Sequence, residues 1–179
     1  MDGQIKIVLP PSPWPLIQTR FIEQPPSPPP PGPMSKTYFS ASSGYVNGTN
    51  TINPGDSGQV VFQTSKVSGT TYQPSTGIYS ITIPGGYSFK VSLQISARTL
   101  NNMPEAFSLN LLANGIQIWQ RNFQFKYSNG TLIIDSTFDL DYLGDFNSGD
   151  QISCSISNTG QGIIQLIPDK CIFFGSRVV

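Results

Sequence analysis

Two neighbouring stretches of sequence decide the fold: Tyr72-Gln73-Pro74-Ser75-Thr76-Gly77-Ile78-Tyr79 and Ile83-Pro84-Gly85-Gly86-Tyr87-Ser88-Phe89. Each combines proline and glycine, which favour turns, with aromatic residues that follow. The second stretch continues into residues 87–97, which alternate strictly between apolar and polar side chains. Successive side chains of a β-strand point to opposite faces, so this alternation predicts a long strand with one buried face. That face consists of Tyr87, Phe89, Val91, Leu93, Ile95 and Ala97.

The rest of the chain after residue 35 repeats this pattern in shorter pieces. Apolar or alternating runs are separated by turn dipeptides such as Asn114-Gly115 and Asn129-Gly130, which favour tight hairpins. No segment has a sustained helical period. Many short strands joined by Gly, Asn and Pro turns predict an all-β protein with two packed antiparallel sheets, a sandwich or jelly roll. The predicted strands cover residues 60–62, 79–83, 87–97, 107–111, 116–118, 123–127, 132–142, 151–157, 163–167 and 171–179.

The N-terminal segment differs in composition. Of the 16 prolines, 11 lie before residue 35, and proline favours an extended backbone without helix or central strand. We therefore divide the chain into an extended Pro-rich arm, residues 1–35, and one domain, residues 36–179. Residues 4–9 have the pattern of a strand that could join a neighbour's sheet edge. The expected partner-binding residues of the arm are Ile5, Ile7, Leu9, Trp14 and Phe21; the alternative is a linker whose apolar residues have no partner.

Charge is scarce in this chain. Charged residues make up 11%, with 10 basic and 10 acidic side chains, against about 25% in an ordinary globular protein. A neutral chain lacks the basic surface that binds nucleic acids and anionic lipids. No segment approaches the roughly 20 apolar residues of a membrane span, and the run 7–9 is too short for a signal-peptide core. We expect protein partners that cover part of the surface, and no nucleic acid or membrane.

The chain lacks the residue types of most catalytic and metal sites. It has no histidine and two cysteines, Cys154 and Cys171. The commonest general base is therefore absent, and two cysteines alone are too few for a structural zinc site. Cys154 falls on the apolar face of its strand, which favours buried free thiols over one disulfide. We expect no enzyme activity and no cofactor.

Carboxylates are the remaining candidates for a metal or acid–base site. Clustered carboxylates bind calcium, and paired ones hydrolyse glycosidic bonds. Alternation, however, places Asp139 and Asp141 on a solvent face of their strand, so a solvated surface is the simpler interpretation. The candidates are Glu105, Asp139, Asp141, Asp145 and Asp150.

Several motifs occur in a fixed order along the domain. A Tyr-x-Pro-x-Thr-Gly-x-aromatic turn at 72–79 precedes a Pro-Gly-x-Tyr-x-Phe segment at 84–89. Phe39-Ser40-Ala41 precedes them, and residues 107–115, 147–152 and 173–178 follow. In order and spacing, this series resembles the globular-head domain of the C1q and tumour-necrosis-factor family over residues 37–179. Arg177 and the doubled Phe173-Phe174 depart from the family pattern.

The resemblance implies a ten-stranded, two-sheet jelly roll whose relatives usually assemble as trimers through an apolar side surface. The aromatic residues of the signature are expected either in the core between the sheets or at a seam between subunits. The collagen stalk and signal peptide usual in the family are not found in the sequence, which argues against an extracellular ligand. The signature residues are Tyr72, Gly77, Tyr79, Tyr87, Phe89, Phe173 and Gly175.

Two functions fit these patterns. The first is a viral structural protein: a single jelly-roll subunit of a vertex, or penton, or a minor capsid component, anchored to neighbours by its arm. Its partners are then further copies, as a trimer or pentamer, and neighbouring structural proteins of the virion. The second is a C1q-like oligomeric recognition module, secreted or surface-displayed, that binds protein or glycan through its loops. The proline-rich arm and the low charge favour the first.

Overall fold

The computed structural model describes residues 37–68, 71–100, 105–125 and 131–178. Over these ranges the chain is all-β, with 12 strands in antiparallel pairs and no α-helix. One 3₁₀ turn, Pro168–Lys170, precedes the last strand. The strands are β1 (Tyr38–Val46), β2 (Thr51–Ile52), β3 (Ser57–Ser68), β4 (Thr71–Gln73), β5 (Ile78–Ser80), β6 (Gly85–Leu100), β7 (Glu105–Ala113), β8 (Ile116–Phe125), β9 (Thr131–Phe146), β10 (Gln151–Asn158), β11 (Ile163–Leu166) and β12 (Ile172–Arg177).

The order of strand pairing is that of a jelly roll. β1 pairs with β12, β5 with β10, β6 with β9, and β7 with β8, all antiparallel. The pairs are nested: the first strand of this set pairs with the last, the second with the second-last, and so on to the hairpin of β7 and β8. This is the pairing of one long hairpin folded over on itself. This nested pairing confirms the predicted all-β, antiparallel jelly-roll fold.

Two sheets face each other. Sheet A contains β9, β6, β12, β1 and β3 in that order, and β11 and β2 lie beside the second half of β6. Sheet B contains β8, β7, β10, β5 and β4. β3 belongs to both, because residues 57–59 pair with β10 whereas residues 60–68 pair with β1. It joins the sheets along one side, while β8 and β9 have no further strand beside them in the described part of the chain.

Aromatic side chains fill the space between the sheets. The ring of Phe39, in sheet A, stacks on that of Tyr79, in sheet B, with centroids 4.2 Å apart. Phe107 of sheet B similarly meets Phe138 of sheet A edge-on at 4.8 Å. The face predicted for residues 87–97 is buried along its whole length, at 2% exposure or less. That prediction is therefore confirmed.

Close packing explains two glycines of the signature. A Cβ atom on Gly175 would overlap the ring of Phe39 and lie 2.7 Å from the ring of Phe89. Gly77 has a φ of +67°, and a Cβ there would lie 2.6 Å from the carbonyl oxygen of Val60. A larger residue would collide at either position, and at Gly77 it would also be strained.

One predicted strand is shorter than its alternation suggests. Residues 79–83 alternate, yet β5 ends at Ser80. The reason is that Ile81 pairs with a turn: its N–H donates to the Asp150 carbonyl and its carbonyl accepts from the Gly149 N–H, both at 2.8 Å. This pairing connects the β5–β6 loop to the β9–β10 loop.

Candidate interaction surface

The arm residues proposed to bind partners, Ile5, Ile7, Leu9, Trp14 and Phe21, lie outside the described residues. Their role stays a prediction. A candidate surface on the jelly-roll domain has to be found among residues 37–178.

The signature residues lie in the interior. Tyr72, at 7% exposure, uses its hydroxyl to donate to the Phe62 carbonyl and to accept from the Phe62 N–H, each at 3.1 Å. Its burial raises the pKa of the phenol. The others belong to the core between the sheets, one of the two roles expected for them, so exposed residues must form any contact surface. Among the signature residues, the side chains with 0% exposure are Tyr79, Tyr87, Phe89 and Phe173.

Several large apolar side chains are exposed on the outer side of sheet A, among serines and charged residues such as Lys90 and Asp141. On β12, Ile172 and Phe174 are 44% and 36% exposed, and Tyr38 on β1 is 40% exposed. The cross-strand neighbours of these residues on β1 and β12 are serines: Ser42 beside Ile172, Ser40 beside Phe174 and Ser176 beside Tyr38. Serine is too short to cover a neighbouring ring or branched side chain, so the apolar groups stand free. With Leu143 and Val178, which are also exposed, these residues form what we name the apolar face: Tyr38, Leu143, Ile172, Phe174 and Val178.

A second exposed apolar surface lies where β8 and β9 leave the sandwich open. Trp119 pairs across from the buried Leu111 and therefore points toward the space between the sheets. It is nevertheless 48% exposed, because no strand lies beyond β8 in the described ranges. Its ring lies 6.2 Å from that of Tyr142 on β9, and Ile116 nearby on β8 is 71% exposed. We name Ile116, Trp119 and Tyr142 the open edge.

Arg121 adds a hydrogen bond between the two strands of the open edge. The Nη1 group of Arg121 donates to the carbonyl of Asp139 at 2.8 Å. Its guanidinium also lies over the ring of Phe123, 5.3 Å from the centroid. The edge is therefore held in one arrangement, which suits a preformed contact surface.

The acidic candidates do not gather into a metal site. In the part of the chain that the structure describes, no group of three or more potential ligands is placed to hold an ion. Asp139 and Asp141 lie on the outer side of sheet A, as expected, across from Ser92 and Lys90. The Lys90 ammonium lies 3.9 Å from Oδ2 of Asp139. The side chain of Glu105 is not among the described ones.

Asp150 has a structural role at one end of the sandwich. Its carboxylate accepts from the Asn114 side-chain amide at 2.9 Å and from the Asn147 N–H at 2.8 Å. These bonds hold the pKa of Asp150 below its ordinary value. The Asn114 side chain in turn accepts from the Gln151 N–H at 2.9 Å. The β7–β8 and β9–β10 loops are thereby connected into one hydrogen-bonded end.

The cysteines are free and buried, as expected. Burial raises the pKa of both thiols, that of Cys171 to about 11. A thiol that stays protonated is a poor nucleophile and a poor metal ligand. Neither cysteine is therefore a candidate for chemistry.

The apolar face was missed in the sequence, although one signal for it was present. The doubled Phe173-Phe174 departs from the family pattern, and the structure buries the first ring while exposing the second. Two adjacent aromatic residues in a strand must point to opposite faces. One of them therefore had to lie outside the core, where a partner is the usual reason for it.

Comparison with known proteins assigns no family. No protein-family model matches the chain, and a search of curated proteins likewise found no match. No helix in the described ranges has both the length and the apolar character needed to cross a membrane.

Proposed function

We propose that the chain is a structural protein of a virion, a single jelly-roll subunit that assembles with copies of itself around a capsid vertex. The observation that carries the proposal is the apolar face on sheet A. Five large apolar side chains exposed on one side of a domain poor in charge are the kind of surface that a partner covers. The nested strand pairing and the buried signature residues support the accompanying proposal of a C1q/tumour-necrosis-factor-like origin.

The presence of two different surfaces supports a ring. A two-fold dimer uses the same patch on both subunits, whereas a head-to-tail contact pairs two unlike patches and generates a ring when the rotation between subunits closes. The apolar face and the open edge are such unlike patches. One is a broad sheet surface with Phe174 near its middle, and the other is a sandwich edge that presents Trp119. We expect the edge of one subunit to pack on the face of the next, giving a trimer or pentamer.

The arm supplies the second half of the proposal. Its apolar residues, Ile5 to Phe21, would bind neighbouring structural proteins beyond the ring. In this arrangement the domain sets the ring symmetry, and the arm fixes the ring within the larger shell.

Mixing two variants tests the head-to-tail contact. Phe174→Ser removes the face and Trp119→Ser removes the edge, so each variant alone should be monomeric by light scattering. A mixture should form a dimer, because one intact edge can still meet one intact face. Val67→Ser is the matched control, since Val67 is 48% exposed but belongs to neither surface. Rings that survive both single substitutions would contradict the proposed contact.

Deletion of residues 1–35 tests the arm. In particles assembled with the neighbouring structural proteins, the full chain should be present at full occupancy, and the shortened chain should remain as free rings, when both are followed by sedimentation and electron microscopy. Equal assembly of both chains would refute the role of the arm.

A C1q-like recognition module is the second candidate. The observation that favours it is the hydrogen-bonded loop end around Asn114 and Asp150, a rigid platform of the kind that recognition loops need. This candidate predicts a stable trimer with or without the arm, and an arm that proteases remove readily. The capsid proposal instead predicts an arm protected within the assembly.

A further inference from the structure

A cavity lies at the end of sheet A where β6 begins and where β9 and β12 end. Its volume is about 670 Å³, and its lining includes Gly86, Gly144, Leu143, Asp145, Arg177 and Val178. The glycines keep it open: a Cβ on Gly86 would approach a methyl of Val178 to 3.3 Å and the carboxylate of Asp145 to 3.5 Å.

Arg177 supplies the cation of this cavity, and Asp145 is the carboxylate among its described lining residues. On β12 it stands across from Tyr87, whose side chain is buried. Its Nε is also buried and has no hydrogen-bond partner. No carboxylate among the described residues lies within 4.0 Å of the Arg177 guanidinium. The ion pair found among them joins Lys90 and Asp139. Buried polar groups are normally satisfied, so a buried Nε that has no partner among the described residues and lies beside a cavity indicates room for an acceptor.

The rest of the lining restricts the acceptor. A guanidinium matches the planar geometry of a carboxylate and can hold it by two parallel hydrogen bonds. Leu143 and Val178, at 70% and 49% exposure, border the cavity with apolar surface. Asp145 adds a negative charge to the lining, which disfavours a ligand with a second negative group.

From these features we infer that the cavity binds an organic monocarboxylate, with the carboxylate on Arg177 and an apolar body against Leu143 and Val178. The ligand is either a free carboxylic acid or a carboxylate carried by a peptide, since both present the same group. The inference goes beyond the proposed function: a single chain supplies the whole lining. Leu143 and Val178 also belong to the apolar face, so a subunit packed there would compete with the ligand.

Titration followed by amide NMR tests this inference on the full chain. Hexanoate should cause saturable shifts at Gly86, Gly144 and Val178 with a Kd in the millimolar range. Hexanol, which has the same apolar body without the charge, should bind about 10-fold more weakly. Glutarate, a dianion, should also bind more weakly than hexanoate. Equal affinity for hexanoate and hexanol, or shifts that do not saturate, would overturn the inference.

A peptide arm of the same experiment separates the two sources. A blocked peptide with one glutamate between leucines is titrated beside hexanoate. Tighter binding of the peptide supports a carboxylate presented by a protein, and tighter binding of hexanoate supports a free acid. If neither binds, the site does not exist.

Two substitutions with opposite expected effects, at Arg177 and at Asp145, distinguish a lost binding contact from a folding defect. Arg177→Gln should abolish hexanoate binding, while Lys90→Gln, which removes a cation on the same sheet outside the cavity, should leave it unchanged. Asp145→Asn should tighten binding by about 2- to 5-fold, because it removes a repulsive charge near the surface. A damaged fold cannot produce this gain, so unchanged affinity in Asp145→Asn would count against the assigned geometry.

Discussion

Substitution of Gly175 by alanine is the sharpest test of the aromatic core. The new Cβ would overlap the ring of Phe39 and lie 2.7 Å from that of Phe89, whereas ordinary carbon–carbon contacts begin at about 3.5 Å. Neither ring can move freely, since Phe39 already stacks on Tyr79 at 4.2 Å and meets Phe173 at 4.8 Å.

The magnitude follows from two opposing effects. Overpacking of a core costs up to about 3 kcal/mol, and replacing glycine restricts the unfolded chain, which returns up to about 1 kcal/mol. The net loss is therefore about 2 kcal/mol, which lowers Tm by about 4–8 °C in a chain of this size. Thermal unfolding by circular dichroism at one fixed protein concentration measures it.

Gly86→Ala is the matched control for this measurement. Gly86 also lies in a strand, but its Cβ would meet only the exposed Val178 methyl, at 3.3 Å, and Asp145, at 3.5 Å. We expect its Tm to be unchanged or slightly raised. If Gly175→Ala is as stable as Gly86→Ala, the rings near Gly175 have room that the structure does not show, and the reasoning is refuted.

Three further predictions concern buried polar groups and loops. Asn158→Ala should lower the free energy of unfolding in urea by about 3 kcal/mol. The buried side chain of Asn158 now bonds two backbone carbonyls and one backbone N–H, and the substitution leaves all three without a partner. A loss below about 1 kcal/mol would contradict this. Tyr72→Phe should cost about 1–2 kcal/mol by the same assay, since its hydroxyl bonds a buried backbone N–H and carbonyl, and an unchanged midpoint would show that these bonds contribute nothing. The depressed pKa of Asp150 means that its contribution is present above its ordinary value of 3.8 and disappears as pH falls through the lower folded-state pKa. Asp150→Asn should therefore lower Tm near neutral pH and converge with the wild type in acid, and a difference that persists in acid would exclude ionisation as its cause.

Much of the fold follows from local sequence pattern. The alternation of residues 87–97 predicted β6 because every second side chain had to enter one core. Asn114-Gly115 predicted the β7–β8 turn because both residues accept a positive φ, and both have one, +53° and +77°. The strands β2 and β4 were not predicted, since stretches of two and three residues are too short to show a period.

The candidate surfaces depend on long-range neighbours and were harder to predict. Ile172 and Phe174 are exposed, and Phe173 between them is buried, yet hydrophobicity alone cannot say which of two alternating apolar sets faces inward. The sequence alone does not decide whether Trp119 lies in the core or at an interface. Its partial exposure results from β8 lying at the edge of its sheet, which only the strand order reveals. The cavity around Arg177 combines three strands that are distant in sequence, so no local motif indicates it.

The nested pairing of strands has a consequence for how the protein is made. β1 leaves the ribosome long before its partner β12, and Phe39 lies across from Gly175 in their register. Contacts so distant in sequence slow folding and expose apolar surface in the meantime. Until translation reaches β12, the aromatic cluster around Phe39 has no cover on that side, and the first half of β6 has β9 as a neighbour but not β12. The last step in the folding of this domain therefore waits until β12 has been synthesised.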